Sequence, residues 1–131
     1  MPDPAPIPPG HYPGRAAIDA YGNGGFRFAG MSHKGSIIAL PSGVWGWDEG
    51  DPAALTVAIL TRVFAEPRTG EFQFLLLGTG KTQVFPPLEL RRAFTEAGLG
   101  LDIMSTGAAC RTYNVLLAEG RPVGAALIAV D

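Results

Sequence analysis

The chain has 131 residues, of which 47% are hydrophobic and 17% are charged, and its formal net charge is −2. A chain of this length forms one domain that buries roughly two thirds of its unfolded surface, and its slightly acidic balance provides no basic field for nucleic acid. No segment approaches the roughly 18 apolar residues of a membrane span, so we expect neither nucleic-acid binding nor direct membrane insertion.

The N-terminal stretch and the cysteine content indicate a compartment. The chain has one cysteine, Cys110, so no internal disulfide can form, and a free thiol is typical of a reducing compartment. The first residues lack the basic leader and the apolar segment of a secretory signal, which predicts a cytoplasmic protein. Half of the twelve prolines lie in the first 13 residues. We therefore predict a flexible tail over residues 1–14 and a single α/β domain over residues 15–131.

The first half of the domain is predicted to be rich in strands. The segments "AAIDAYG" and "GFRFAG" flank Asn23-Gly24, a dipeptide that favours the positive φ values of a tight hairpin. Two further strand-like runs, "GSIIAL" and "SGVWGWD", follow. Residues 51–66 are ambiguous: Asp51-Pro52 and Thr56 favour helix starts, whereas the β-branched stripe leaves a strand open.

The second half alternates strands and helices. A strand over residues 71–77 precedes a helix that opens at Pro87 and ends at Gly98, and the strand "LGLDIM" follows. A second helix is capped by Ser105 or Thr106 and ends at Gly120, before a last apolar strand. Such alternation predicts a mainly parallel sheet, and the whole chain predicts a three-layer α/β domain with a β-rich N-terminal half.

The stretch "LLLGTGKTQ", residues 75–83, superficially suggests a phosphate-binding loop. A Walker loop needs a glycine five positions before Gly80, where this chain has Leu75, and a helix that starts at the lysine. Pro86 and Pro87 prevent a helix from running on from Lys81. We interpret the glycines instead as a turn at the end of a central strand, where α/β sheets commonly place ligand crevices.

The segment "MSTGAACRTYNVLLAEGRPVGAALI", residues 104–128, and the run "LLLGTG" resemble the family of mitochondrial complex I assembly factor 3 and its prokaryotic relatives, small domains of unknown function. The resemblance extends over residues 16–130. It implies a three-layer α/β fold with a mixed central sheet. For the mitochondrial member it also implies a role in assembling the NADH:ubiquinone oxidoreductase through protein contacts. Relatives commonly carry an aspartate where this chain has Ser105, so a role for a carboxylate at that position does not carry over.

Several residues near the start of the second helix are candidates for a functional cleft. Thr106, Cys110, Tyr113 and Asn114 place polar groups among small apolar ones, and the Gly78–Thr79–Gly80 loop would form the opposite wall. The favoured interpretation is structural, with Asn114 tying the helix to that loop. Cys110 lies about one turn from the helix start, where the macrodipole can lower a thiol pKa. Buried packing of this lone cysteine is the favoured interpretation.

Trp45 and Trp47 are spaced to point to one side of a strand, which favours a core position but also suits a partner interface. One cysteine and two distant histidines form no metal site, and we predict no cofactor. No catalytic set of residues can be assembled, so the principal prediction is a non-catalytic protein-binding domain. Its partners would be proteins, among them subunits of a respiratory membrane complex. A small-molecule-binding domain or cryptic enzyme using the cleft, and a redox-sensing Cys110, are the alternatives, and homo-oligomerisation stays open.

Overall fold

The computed structural model of the protein describes residues 12–48 and 51–131. The strands of this part are β1 (Tyr12–Pro13), β2 (Ala20–Gly22), β3 (Gly25–Phe28), β4 (Met31–Lys34), β5 (Ser36–Leu40), β6 (Gly43–Trp47), β7 (Phe74–Gly78), β8 (Gly100–Met104) and β9 (Val123–Leu127). Its helices are α1 (Thr61–Ala65), α2 (Leu88–Glu96) and α3 (Thr106–Ala118), and a single 3₁₀ turn spans Pro52–Ala54. The β-rich N-terminal half is confirmed.

The main sheet has six strands in the order β1-β6-β5-β9-β7-β8. Strand β9 lies inside it, antiparallel to β5 and parallel to β7, and β8 pairs with β7 in parallel. The parallel pairing predicted for the strands of the second half is confirmed, since β7 is parallel to both β8 and β9. In the first half β5 and β6 are joined by a short hairpin connection and therefore pair antiparallel. The mixed sheet that the resemblance implies is confirmed.

A second sheet has three antiparallel strands in the order β2-β3-β4. Asn23 and Gly24 form the β2–β3 turn with φ values of 53° and 78°, which confirms the predicted hairpin. The β3–β4 turn repeats this geometry with Ala29 at φ 51° and Gly30 at φ 73°. Alanine rarely adopts a positive φ, so the sequence did not predict this second tight turn.

Both faces of the main sheet are covered, which gives three layers. Along β5, Ile37 and Ala39 face one core while Ile38 and Leu40 face the other, so the whole strand is buried. The first core lies between the main sheet, the small sheet and α3, and it includes Phe26, Phe28, Leu76, Ala109, Tyr113 and Val123. The second core lies under α1, α2 and the segment before α1, and it includes Leu55, Leu60, Val63, Leu75, Leu90 and Phe94.

The predicted helix ends depend on local signals. Asp51 accepts a hydrogen bond from Ala53 N, but only the 3₁₀ turn follows it, and α1 begins ten residues later. The helical interpretation of residues 51–66 is therefore confirmed in part, in two short pieces. Ser105 caps α3 by accepting from Ala108 N at 3.3 Å, and Gly98 and Gly120 end α2 and α3 with positive φ values.

The predicted tail, residues 1–14, lies mostly outside the described residues. Within it, Tyr12 and Pro13 pair with Val44 and Gly43 of β6, and the Tyr12 ring meets Phe28 edge-on at 6.0 Å between centroids. These contacts lie within the segment predicted as a flexible tail. Among residues 12–48 and 51–131, none of the helices has the length and apolar character needed to cross a bilayer.

Candidate functional site

The loop after β7 and the start of α3 lie side by side, as the sequence predicts. Thr106 connects them: its hydroxyl donates to the Ile128 carbonyl at 2.7 Å and accepts from Gly80 N at 2.9 Å. The backbone N of Thr106 also donates to the Gly80 carbonyl at 2.8 Å. Thr106 is 0% exposed, so a single buried hydroxyl ties the loop, the helix and the end of β9 together.

The surroundings of Gly78 are closely packed. A Cβ at this position would lie 3.0 Å from both the Thr106 Cα and Leu127 Cδ2, and 3.2 Å from the Ala109 Cβ. Close packing therefore fills the space between the predicted loop and α3 at Gly78, whereas a Cβ at Gly80 would meet nothing within 4 Å. The physical reason is that α3 packs directly on the end of β7, and only glycine permits this approach.

Thr79 organises the turn that follows β7. Its hydroxyl donates to the Thr82 carbonyl at 2.7 Å and accepts from Val84 N at 2.9 Å, and its backbone N donates to the Met104 carbonyl at 2.9 Å. These bonds hold an extended turn, and α2 begins only at Leu88. The chain here is an extended connection from β7 to α2 with no helix at Lys81, in agreement with the argument against a Walker loop.

Asn114 has a structural role, although its partner differs from the predicted one. The side-chain oxygen accepts from Ile18 N at 2.8 Å, and Nδ2 donates to the Ile18 carbonyl at 2.8 Å. Asn114 thus clamps the backbone of the segment that enters β2, and the expected bond to the Gly78–Gly80 loop is wrong. Thr106 makes that connection instead.

Tyr113 and Cys110 point into the first core. Tyr113 is fully buried, and its hydroxyl has no hydrogen-bond partner within the described part of the chain. Burial raises the pKa of Tyr113 to about 12, and the charge of Arg15 partly opposes the shift. Burial likewise raises the pKa of the Cys110 thiol to about 12, against a smaller opposite effect of Arg111. The thiol pKa is therefore raised, where a position near the helix start alone would favour a lower value.

A shallow concavity of about 250 Å³ lies beside Gly80 and the start of α3. It is lined by Tyr21, Gly80, Lys81, Ser105, Gly107, Arg111 and Val130. Arg111 Nη1 donates to the Tyr21 hydroxyl at 3.4 Å, and that hydroxyl lies so close to Gly107 that a Cβ there would be 2.5 Å away. The sequence did not predict Tyr21 as a neighbour of α3, since this contact joins residues far apart in the chain.

The two tryptophans pack on the same side of β6, as their spacing predicts. Trp45 is only 9% exposed, and the Arg62 guanidinium lies 4.4 Å from its ring centroid. Trp47 is half-buried, and its Nε1 donates to the Ile37 carbonyl at 2.9 Å. Concavities of about 390 and 540 Å³ adjoin Trp47. Trp45 is thus a core residue, and Trp47 is the one of the pair that reaches the surface.

Phe85 and Leu88 form an exposed apolar patch that the sequence did not single out. Phe85 is 59% exposed and Leu88 is 50% exposed, and the Arg91 guanidinium lies 5.9 Å from the Phe85 ring centroid. The only sequence feature that could have indicated this exposure is the Pro86-Pro87 pair, which separates Phe85 from the apolar face of α2. Among the described residues there is no group of three or more His, Cys, Asp or Glu side chains suited to a metal ion.

The fold is that of a small single-domain α/β protein built on a mixed six-stranded sheet. Helices α1 and α2 cover one face of this sheet, and α3 together with the three-stranded sheet covers the other. The chain belongs to the family described as protein of unknown function (DUF498/DUF598), whose model matches residues 18–128. This match covers nearly all of the region in which the sequence resembles complex I assembly factor 3.

Solved and curated relatives agree with this assignment. The crystal structure of an outer membrane protein from Bartonella henselae matches with a TM-score of 0.85 and 53% identity, over 92% of this chain and 100% of that one. An uncharacterised protein of Rhodobacter capsulatus is 37% identical over 95% of this chain and 92% of its own length. NADH dehydrogenase [ubiquinone] 1 alpha subcomplex assembly factor 3 of Mus musculus is 33% identical over 89% of this chain. The aligned part spans 62% of the mouse protein.

Proposed function

We propose that this protein is a non-catalytic protein-binding domain that helps to assemble a respiratory membrane complex and acts from the cytoplasmic side. The observation that carries the proposal is the 33% identity to the mouse complex I assembly factor, which extends over 89% of this chain. Since the match covers 62% of that factor, the shared part is the α/β domain itself. A conserved assembly role would then belong to the surface of this domain.

The geometry of the candidate cleft supports binding over catalysis. Gly78 is packed closely against Thr106 and Ala109, and the Thr106 hydroxyl bonds to Gly80 N, so the space between Gly78 and α3 is filled. The one thiol, Cys110, is buried, and its raised pKa opposes the thiolate that a nucleophile needs. A small-molecule site or a cryptic active site would have to use the shallow concavity near Tyr21 and Arg111. This concavity is small for a typical ligand pocket.

Two surface features suit contact with a protein partner. Phe85 and Leu88 present apolar area beside Arg91, and aromatic and arginine side chains commonly dominate interface energies. The exposed part of Trp47 lies between two concavities on another part of the surface. Protein partners, including subunits of a respiratory complex, would be recognised at one of these surfaces.

The test is an affinity pull-down of the tagged protein from its native cell, combined with gene deletion. We expect subunits of a respiratory complex in the eluate and reduced NADH:quinone activity in the deletion strain. The double variant F85S/L88S and the single variant W47S identify the contact surface. V115S is the matched control, because Val115 is an equally exposed apolar residue on α3. An eluate without respiratory subunits, together with normal NADH:quinone activity in the deletion strain, would falsify the proposal.

A further inference from the structure

The outer face of the three-stranded sheet carries a concavity of about 290 Å³ that the proposed function does not use. It is lined by Gly22, Asn23, Gly25, Phe26, Arg27, Ser32, His33 and Lys34. None of these residues is acidic, whereas two are cationic. The concavity is therefore positively charged on a chain whose overall charge is −2.

The strand register brings the polar groups of this concavity to one face. Phe26 and Phe28 of β3 are buried in the first core, so Arg27 between them points outward. Arg27 pairs with Ser32 of β4, and Lys34 lies two residues further along the same strand. Side chains at such diagonal positions stand about 7–8 Å apart. This spacing lets both cations reach one small anion between them.

The floor of the concavity is backbone without side chains. Gly22 of β2 lies directly opposite Gly25 of β3. A Cβ at Gly25 would collide with the His33 carbonyl, and Gly22 has a φ of 127°, which side chains rarely adopt. Larger residues at either position would both strain the sheet and fill the space. The glycine pair thus keeps the sheet surface open beside the two cations.

The cations and the hydroxyl are available for a ligand. Arg27 and Lys34 are both exposed. Within residues 12–48 and 51–131, neither side chain is engaged in an ion pair or a side-chain hydrogen bond, and the Ser32 hydroxyl is likewise unengaged. Arginine presents a planar fork of N–H donors that matches two oxygens of an oxyanion, while lysine acts as a point charge.

We propose that this concavity binds a phosphate group, carried either by a small phosphorylated compound or by an anionic lipid headgroup. The Arg27 guanidinium donates to two phosphate oxygens, and the Lys34 ammonium neutralises charge from the neighbouring strand. The Ser32 hydroxyl donates to a third oxygen. No bond is made or broken, so the site is one of binding only, and it is independent of the protein partner.

The first experiment is an NMR titration of the whole protein with inorganic phosphate at constant ionic strength, with chloride as the compensating anion. We expect saturable shifts of the Gly25, Ser32 and Lys34 amides. R27Q and K34Q should each weaken binding by about tenfold, as expected for loss of a charge-assisted hydrogen bond. R92Q is the matched control: Arg92 is an exposed arginine on α2, which covers the opposite face of the main sheet.

The second experiment distinguishes the two sources of phosphate. If the protein sediments with phosphatidylglycerol vesicles, and R27Q and K34Q abolish this while R92Q does not, the ligand is a lipid headgroup. Saturable phosphate shifts without sedimentation support a small phosphorylated compound. The proposal is overturned if phosphate shifts nothing beyond chloride and vesicle binding is absent or unaffected by R27Q and K34Q. Equal loss of binding in R92Q would also overturn it, because the effect would then reflect net charge.

Discussion

Replacing Thr106 with valine should destabilise the protein far more than replacing it with serine. Valine keeps the shape of the side chain but removes the hydroxyl that donates to the Ile128 carbonyl and accepts from Gly80 N. Both of those groups belong to buried residues. Each buried polar group without a partner costs about 1–2 kcal/mol, so we expect a loss of about 2–4 kcal/mol in the free energy of unfolding.

Serine at the same position is the matched control, since it keeps both hydrogen bonds and removes one methyl group. Its expected cost is about 1 kcal/mol, the value of one buried methyl. Urea unfolding followed by the fluorescence of Trp45 and Trp47 measures both variants, and the transition midpoint should move while its slope stays constant. The reasoning is refuted if T106V lies within about 0.5 kcal/mol of the wild type, or if T106S is as damaging as T106V.

Two further substitutions and one labelling experiment test other parts of the fold. Y113F should leave the free energy of unfolding unchanged or raise it by about 1 kcal/mol, because the buried hydroxyl that it removes has no partner among the described residues; a loss measured by urea unfolding would contradict this. A29N should raise the thermal midpoint, with a gain of about 1 kcal/mol, since asparagine tolerates the positive φ of this turn better than alanine does; a lower midpoint would show that the turn is not strained. Cys110 should react with a thiol probe slowly in the folded protein and rapidly in urea, and rapid labelling of the folded protein would contradict its burial.

The raised pKa of Cys110 also predicts how stability depends on pH. The thiol pKa is about 12 in the folded protein and near its ordinary value of 9.0 when the chain unfolds. Between these values the folded state holds a proton that the unfolded state has lost, so the free energy of unfolding falls as the pH rises through this window. C110A removes the thiol and should flatten that part of the pH profile. An unchanged profile in C110A would contradict the assignment.

The sequence predicted those features that local chemistry determines. Asn23-Gly24 favours only a narrow set of turns, Ser105 offers a cap to the N–H groups of α3, and Gly120 permits the left-handed residue that ends this helix. Each signal acts within a few residues of the feature it specifies. The resemblance added the mixed sheet, which strand and helix alternation alone did not predict.

Features that depend on distant parts of the chain were not predictable in the same way. Asn114 was recognised as a structural amide, but its partner Ile18 lies 96 residues away. The buried Glu66 carboxylate accepts from both the backbone N and the hydroxyl of Ser42, and nothing near Glu66 in the sequence indicates this clamp. The positions of polar residues in a sequence show which side chains need a hydrogen-bond partner. Tertiary packing then determines which residue that partner is.

The candidate cleft shows the same limit. Gly78, Gly80 and Thr106 do come together, as the sequence predicts, because the end of β7 and the start of α3 meet at one edge of the sheet. Whether a gap remains between the end of β7 and the start of α3 depends on a few tenths of an ångström in the distance between their backbones. Residue types do not determine that distance. Polar residues at a strand end therefore predict proximity more securely than they predict a pocket.

The place of β9 in the main sheet has a consequence for how the protein forms. Among the nine strands of the described residues, β9 is the last in chain order, yet it lies between β5 and β7. A ribosome therefore makes both neighbours before the strand that joins them, and until then each presents an open, apolar edge. Such long-range closure slows folding and leaves the nascent chain prone to aggregation. We expect this protein to depend on chaperones during synthesis more than its small size suggests.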